Sequence, residues 1–140
     1  MSLPEPRVVV DASAVLAYVL HERGWQTVDK ILPYAVLPLP NLTEVLYRAP
    51  AKGHAREPGD LFAHLLRLGL RTVPVEPADA VRAAELIVES DAVAAGGAGR
   101  ALSLGDGLCI AVAERLELPV TGGDQAWELL ELKTTFHSFR

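Results

Sequence analysis

Short runs of apolar, mostly β-branched residues recur along this chain, and each is followed by a stretch of helical composition. Arg7 to Val10 is such a run and ends at Asp11, which reads as a buried strand. Ala14 to Leu20 has helical composition, Gly24 breaks it, and Trp25 to Leu32 resumes a helix. Ala35 to Leu39 is a second strand, and Asn41 opens a helix to about Arg48, ended by Pro50 and Gly53. Pro58 starts a helix closed by Gly69, with Leu61, Phe62, Leu65, Leu66 and Leu68 on or near one face. Thr72 to Val75 is a strand, and Pro77 begins a helix through about Glu89. Ser90 to Arg100 holds the run Ala94-Ala95-Gly96-Gly97-Ala98-Gly99, which is expected to be mobile. Gly105 to Leu116 is a helix, Leu118 to Thr121 a strand, Asp124 to Leu130 a helix, and the tail around Phe136 a last edge strand.

Strands alternating with helices predict an α/β fold: a three-layer α/β/α sandwich with a mostly parallel central sheet. A length of 140 residues fits one domain spanning 1–140, and half of the residues are hydrophobic, enough to fill its core. The single cysteine, Cys109, excludes an internal disulfide and a cysteine zinc site. It lies in Leu108-Cys109-Ile110-Ala111-Val112 and reads as a small core residue. A reducing cytoplasm is the expected location. Met1 to Pro6 carries no signal-peptide pattern, and no apolar stretch is long enough for a membrane span. The net charge of −5 argues against a general nucleic-acid binder with a basic face, but not against a nuclease whose carboxylates hold cations.

In parallel α/β sheets the functional site lies beyond the carboxyl ends of the strands. Four acids fall there. Asp11 follows the first strand, Glu44 lies in the first turn of the helix after the second, Asp106 opens a helix after the Gly-rich stretch, and Asp124 follows the strand ending at Thr121. Carboxylates converging there repel one another unless cations sit between them. Oxygen-only ligands select hard ions such as Mg²⁺ or Mn²⁺, which act on phosphodiesters. A plainer reading competes. Asn41 with Glu44, Ser103 with Asp106 and Thr121 with Asp124 all have helix-capping spacing, and an acid in a first turn gains roughly 0.3–1 kcal/mol from the helix dipole. Asp11 resists that reading, since an unpaired carboxylate in apolar surroundings is costly.

The motifs add to the case. Val8-Val9-Val10-Asp11-Ala12-Ser13-Ala14 resembles the opening of the PIN-domain family, especially the VapC ribonuclease toxins. Asn41-Leu42-Thr43-Glu44-Val45 resembles its second acidic motif. Leu102 to Ala111, around Ser103-Leu104-Gly105-Asp106, resembles the third and is the most specific. Pro119 to Trp127, around Gly122-Gly123-Asp124, resembles the fourth. The resemblance implies Mg²⁺- or Mn²⁺-dependent hydrolysis of RNA, leaving 5′-phosphates, with Asp11, Glu44, Asp106 and Asp124 as both catalytic residues and metal ligands. It also implies a supporting role for Ser13, which would orient Asp11 or else act as a helix N-cap. The fourth motif departs from the family. The hydroxyl expected two residues before Asp124 is replaced by Gly122, and Thr121 carries one a residue earlier. Single-stranded or loop RNA, a homodimer partner and a cognate VapB-like antitoxin are further implications. The antitoxin would lay a basic segment over a groove walled by the helices around Trp25 and Val45-Leu46.

Other readings fit less well. A dehalogenase-type phosphatase needs a second Asp where Ser13 stands, and a response-regulator receiver needs paired acids near the first strand. No phosphate-binding or dinucleotide glycine motif is present. The rival of a different class is a catalytically inactive PIN scaffold that works as a protein-interaction module, against which the presence of all four acids counts. Arg100 reads as a solvated surface residue that could touch a phosphate. His21, His54, His64 and His137 show no metal-ligand spacing, and Trp25 and Trp127 read as packing residues.

Overall fold

The computed structural model describes residues 3–54 and 56–140. Met1 and Ser2, part of the opening segment judged to lack a leader pattern, lie outside the described residues. Five strands form one sheet: β1 (Val8–Val10), β2 (Ala35–Pro38), β3 (Arg71–Val73), β4 (Val120–Gly122) and β5 (Phe136–Ser138). Their order is β3-β2-β1-β4-β5, and every pairing is parallel. Val9 stands opposite Val36 on one side and Val120 on the other, so β1 is the central strand.

Helices α1 (Ala12–Leu20), α2 (Trp25–Ile31), α3 (Leu39–Ala51) and α4 (Pro58–Arg67) are joined by α5 (Pro77–Ala95) and α6 (Leu104–Leu116). The strand period of two splits β1 between two cores. Val8 and Val10 pack with Val15, Leu16, Val28, Leu37, Val45, Leu61 and Leu65, from α1 to α4 and β2. Val9 packs with Leu86, Cys109, Ile110, Val120 and Trp127, on the α5 and α6 side. The result is the expected three-layer sandwich, with Cys109 fully buried as a core thiol and Trp127 1 % exposed as a packing residue.

Several boundaries differ from expectation. Proline is tolerated in a first helical turn, where its missing N–H costs nothing. Helix α3 therefore starts at Leu39, runs through Pro40, and leaves Asn41 inside the helix instead of capping it. Glu44 accordingly lies in the second turn. Helix α5 continues through Ala95, because Ser90 is buried and its Oγ accepts from Leu102 N–H at 2.9 Å. Its last turns take up half of the stretch expected to be mobile. The segment after Asp124 is a 3-10 helix, Gln125–Leu129, and not an α-helix. No helix among the described residues is long and apolar enough to cross a membrane.

Candidate active site

The strand order fixes where a site can form. From β1 the chain steps to β2 and β3 on one side, then crosses to β4 and β5 on the other. Diverging connections leave a crevice at the carboxyl ends of β1 and β4. Asp11 follows β1 and Asp124 follows β4, while α3 and α6 bring Glu44 and Asp106 to the same edge. All four line one cavity of about 410 Å³, together with Ser13, Arg48, Arg100, Ser103, Gly123 and Arg140. Among the described residues, no three His, Cys, Asp or Glu side chains stand close enough to hold one ion as placed. Each acid is instead held by its own local bonds.

Asp11 is the N-cap of α1, accepting from Ala14 N–H at 2.9 Å, so the cap expected at Ser13 sits two residues earlier. The Ser13 hydroxyl lies 2.8 Å from both Asp11 oxygens and accepts from Gly123 N–H at 3.2 Å. Ser13 thus ties the end of β1 to the turn after β4. Asp11 is 4 % exposed. Burial pushes its carboxyl up to about 7, opposed by the bonds from Ala14 and Ser13 and reinforced by the charges of Asp106 and Glu44. Glu44 Oε2 pairs with Arg48 Nε at 3.2 Å, one helical turn away. In α6, Ser103 Oγ accepts from Asp106 N–H at 3.1 Å and Asp106 Oδ2 accepts from Ser103 N–H at 3.4 Å, a capping box. Burial raises the Asp106 carboxyl too, its bonds to Ser103 lower it, Asp124 adds to the rise and Arg48 offsets it. Asp124 Oδ1 accepts from Ala126 N–H at 2.9 Å and caps the 3-10 helix.

Capping and ligation are therefore compatible here. Glu44 Oε1, Asp106 Oδ1 and Asp124 Oδ2 take no hydrogen bond among the described residues. With the deeply buried Asp11 they offer only oxygen donors, the chemistry that suits hard divalent cations, but as placed no three of the four reach a common point.

Thr121 is a buried strand residue opposite Val10 and His137, and among the described residues no bond from its hydroxyl reaches a site acid. The departure at Gly122 has a steric reason. A Cβ there would meet Asp11 Oδ2 at 2.9 Å and the Trp127 ring at 3.1 Å. Trp127 and the carboxylate fill the space that a hydroxyl-bearing side chain would need. Arg100 does line the cavity. Arg48 and Arg140 do as well, and sequence reasoning passed over both. The spacing from Glu44 could have flagged Arg48, whereas nothing local points Arg140 at the site. Of the residues named for the groove walls, Val45 is buried in the core, Leu46 is half-buried, and the half-buried Trp25 stacks on His21 at 4.4 Å.

Comparison with known proteins defines the class of this α/β domain. The PIN domain family model matches residues 8–128, and the chain belongs to that family. No curated protein matches it by sequence. Among solved structures, the fold is similar to Mycobacterium tuberculosis VapC20, a Sarcin-Ricin loop cleaving toxin, with a TM-score of 0.67, 15 % identity, and coverage of 91 % of this chain and 98 % of that one. VapBC2 from Rickettsia felis, bound to a DNA fragment from their promoter, gives 0.66 at 13 % identity over 94 % and 97 %. FitAcB from Neisseria gonorrhoeae gives 0.62 at 17 % identity over 94 % and 97 %.

Proposed function

We propose that this chain is a metal-dependent endoribonuclease, the toxin of a VapBC-type toxin–antitoxin pair, working as one domain in the cytoplasm. The observation that carries the reading is the convergence of Asp11, Glu44, Asp106 and Asp124 on one cavity at the strand-order switch, three of them with an oxygen to spare. Asp11, Glu44, Asp106 and Asp124 would hold one or two Mg²⁺ or Mn²⁺ ions. When bound, such an ion supplies Lewis-acid stabilisation of phosphoryl charge and a water acidic enough to deprotonate near neutral pH. The protein's own contribution is preorganisation. Ser13 and Ala14 fix Asp11, the α6 capping box fixes Asp106, and the 3-10 cap fixes Asp124. The substrate is single-stranded or loop RNA, whose backbone can be splayed into an open cleft.

The fold similarity to VapBC2 and FitAcB supports a cognate VapB-like antitoxin as inhibitor. A homodimer belongs to the same reading. The alternative, an inactive PIN scaffold for protein interactions, is disfavoured by the presence of all four acids in one cavity, where their charges repel unless a cation sits among them. The test is incubation of purified protein with loop-containing RNA in Mg²⁺, in Mn²⁺ and in EDTA, with mapping of the new ends. The expected outcome is internal cleavage leaving 5′-phosphates, abolished by EDTA. Intact RNA under all three conditions favours the scaffold.

A further inference from the structure

An active site built from carboxylates repels its own substrate. The chain carries −5 overall, so its net charge gives a polyanion no general attraction. The cavity itself supplies part of the answer. Arg48, Arg100 and Arg140 line it beside the four acids, leaving roughly one net negative charge where the acids alone would leave four. These guanidiniums are not equivalent. Arg48 is committed to Glu44 at 3.2 Å. Arg100 and Arg140 are exposed and form no ion pair among the described residues.

Arg140 is held on the Asp124 side by its surroundings. Phe139, 3 % exposed, anchors the preceding residue, and the Arg140 guanidinium lies 5.0 Å from its ring centroid. The guanidinium also packs on Gly123, where a Cβ would meet Cζ, Nε and Nη2 at 3.0 Å. A side chain at 123 would therefore force it to shift. Arg100 approaches from a different segment, the one leading into α6, next to Ala101 and Ser103 of the same cavity. Two guanidiniums brought to one cavity by different segments, neither in an ion pair among the described residues, suit two phosphates of one strand, since guanidinium matches phosphate geometry bidentately.

We infer that Arg100 and Arg140 grip the RNA backbone through phosphates flanking the scissile one, and so position the strand over the carboxylates. This rests on the ribonuclease reading above. Their charge offsets the field of the acids where the strand lies, without occupying the acids as Arg48 does.

The test is RNA binding measured against salt in Asp106→Asn background protein, with Arg100→Gln, Arg140→Gln, the double variant, and Arg67→Gln as an exposed control outside the cavity. Glutamine keeps most of the stem, so loss of packing is not confused with loss of charge. For single strands each phosphate contact contributes about 0.7 to the slope of log K against log salt. The slope is expected to flatten by about 0.7 in each single variant and about 1.4 in the double, with Arg67→Gln unchanged. In the otherwise wild-type enzyme the same substitutions should raise KM more than they lower kcat. Slopes equal to that of the Arg67 control, with RNA still bound and cleaved, overturn this inference and leave the ribonuclease reading standing. Wild-type protein that neither binds nor cleaves RNA overturns the reading beneath it.

Discussion

Asp11 is a carboxyl group with 4 % exposure, acidic neighbours and a folded-state pKa of about 7. The unfolded chain releases that proton near pH 4. Between about pH 4 and 7 the native state therefore binds the proton and the unfolded state does not, so stability falls as pH rises. The stabilisation is complete below pH 4 and lost above 7, and for Asp11 alone amounts to roughly 4 kcal/mol. Asp106 shifts in the same direction. Metal-free protein should melt higher at pH 5.5 than at pH 8, and Asp11→Asn should flatten that difference. Melting curves across pH in EDTA check this, and a wild-type profile rising toward pH 8 would contradict it. Gly122 is the second residue with a sharp consequence. A methyl group there collides with Asp11 and Trp127, so Gly122→Ala should cost about 1–3 kcal/mol in denaturant titrations. A neutral substitution would show that the pocket wall yields.

At the scale of elements, the caps explain why capping and ligation looked like rival readings in the sequence. Ser103 and Asp106 do form a capping box, and Asp11 and Asp124 are N-caps. Each cap uses one carboxylate oxygen or holds the group in place. Ser103→Ala should therefore cost about 1 kcal/mol of stability and also weaken Mn²⁺ binding, since Asp106 loses the residue that aims it. Calorimetric titration separates the two effects; unchanged Mn²⁺ affinity would mean the cap is structural only. The alternation of strands and helices was legible because each strand is short, β-branched and followed by a helix-forming stretch, and even the edge strand at Phe136 could be read. The start of α3 was not legible, because Ala35 to Leu39 reads as one strand and Asn41 as a cap, while Leu39 and Pro40 in fact occupy the first helical turn. The end of α5 was obscured by alanines and glycines, whose local composition says nothing of Ser90 bonding to Leu102 twelve residues on.

At the scale of the whole molecule, the strand order positions the candidate site. It sets Asp11 and Asp124 at one crevice, and α3 and α6 close it with Glu44 and Asp106. The four acids were legible from their place after strands and from the motif resemblance. Arg140 was not, because its place in the cavity depends on a parallel β4–β5 pairing that brings the end of the described chain back beside Gly123. A cation binding only the folded state should stabilise it by about 2.7 kcal/mol at a hundredfold excess over Kd. Melts in Mn²⁺ should thus exceed those in EDTA by several degrees, most at pH 8, where Asp11 has lost its proton. The central claim is that these carboxylates together form a cation-dependent ribonuclease site. Its most direct measurement is RNA cleavage in Mg²⁺ by wild-type and Asp106→Asn proteins with matched circular dichroism spectra. The account predicts internal cleavage by the wild type and none above background by the variant. Equal cleavage by both would contradict it.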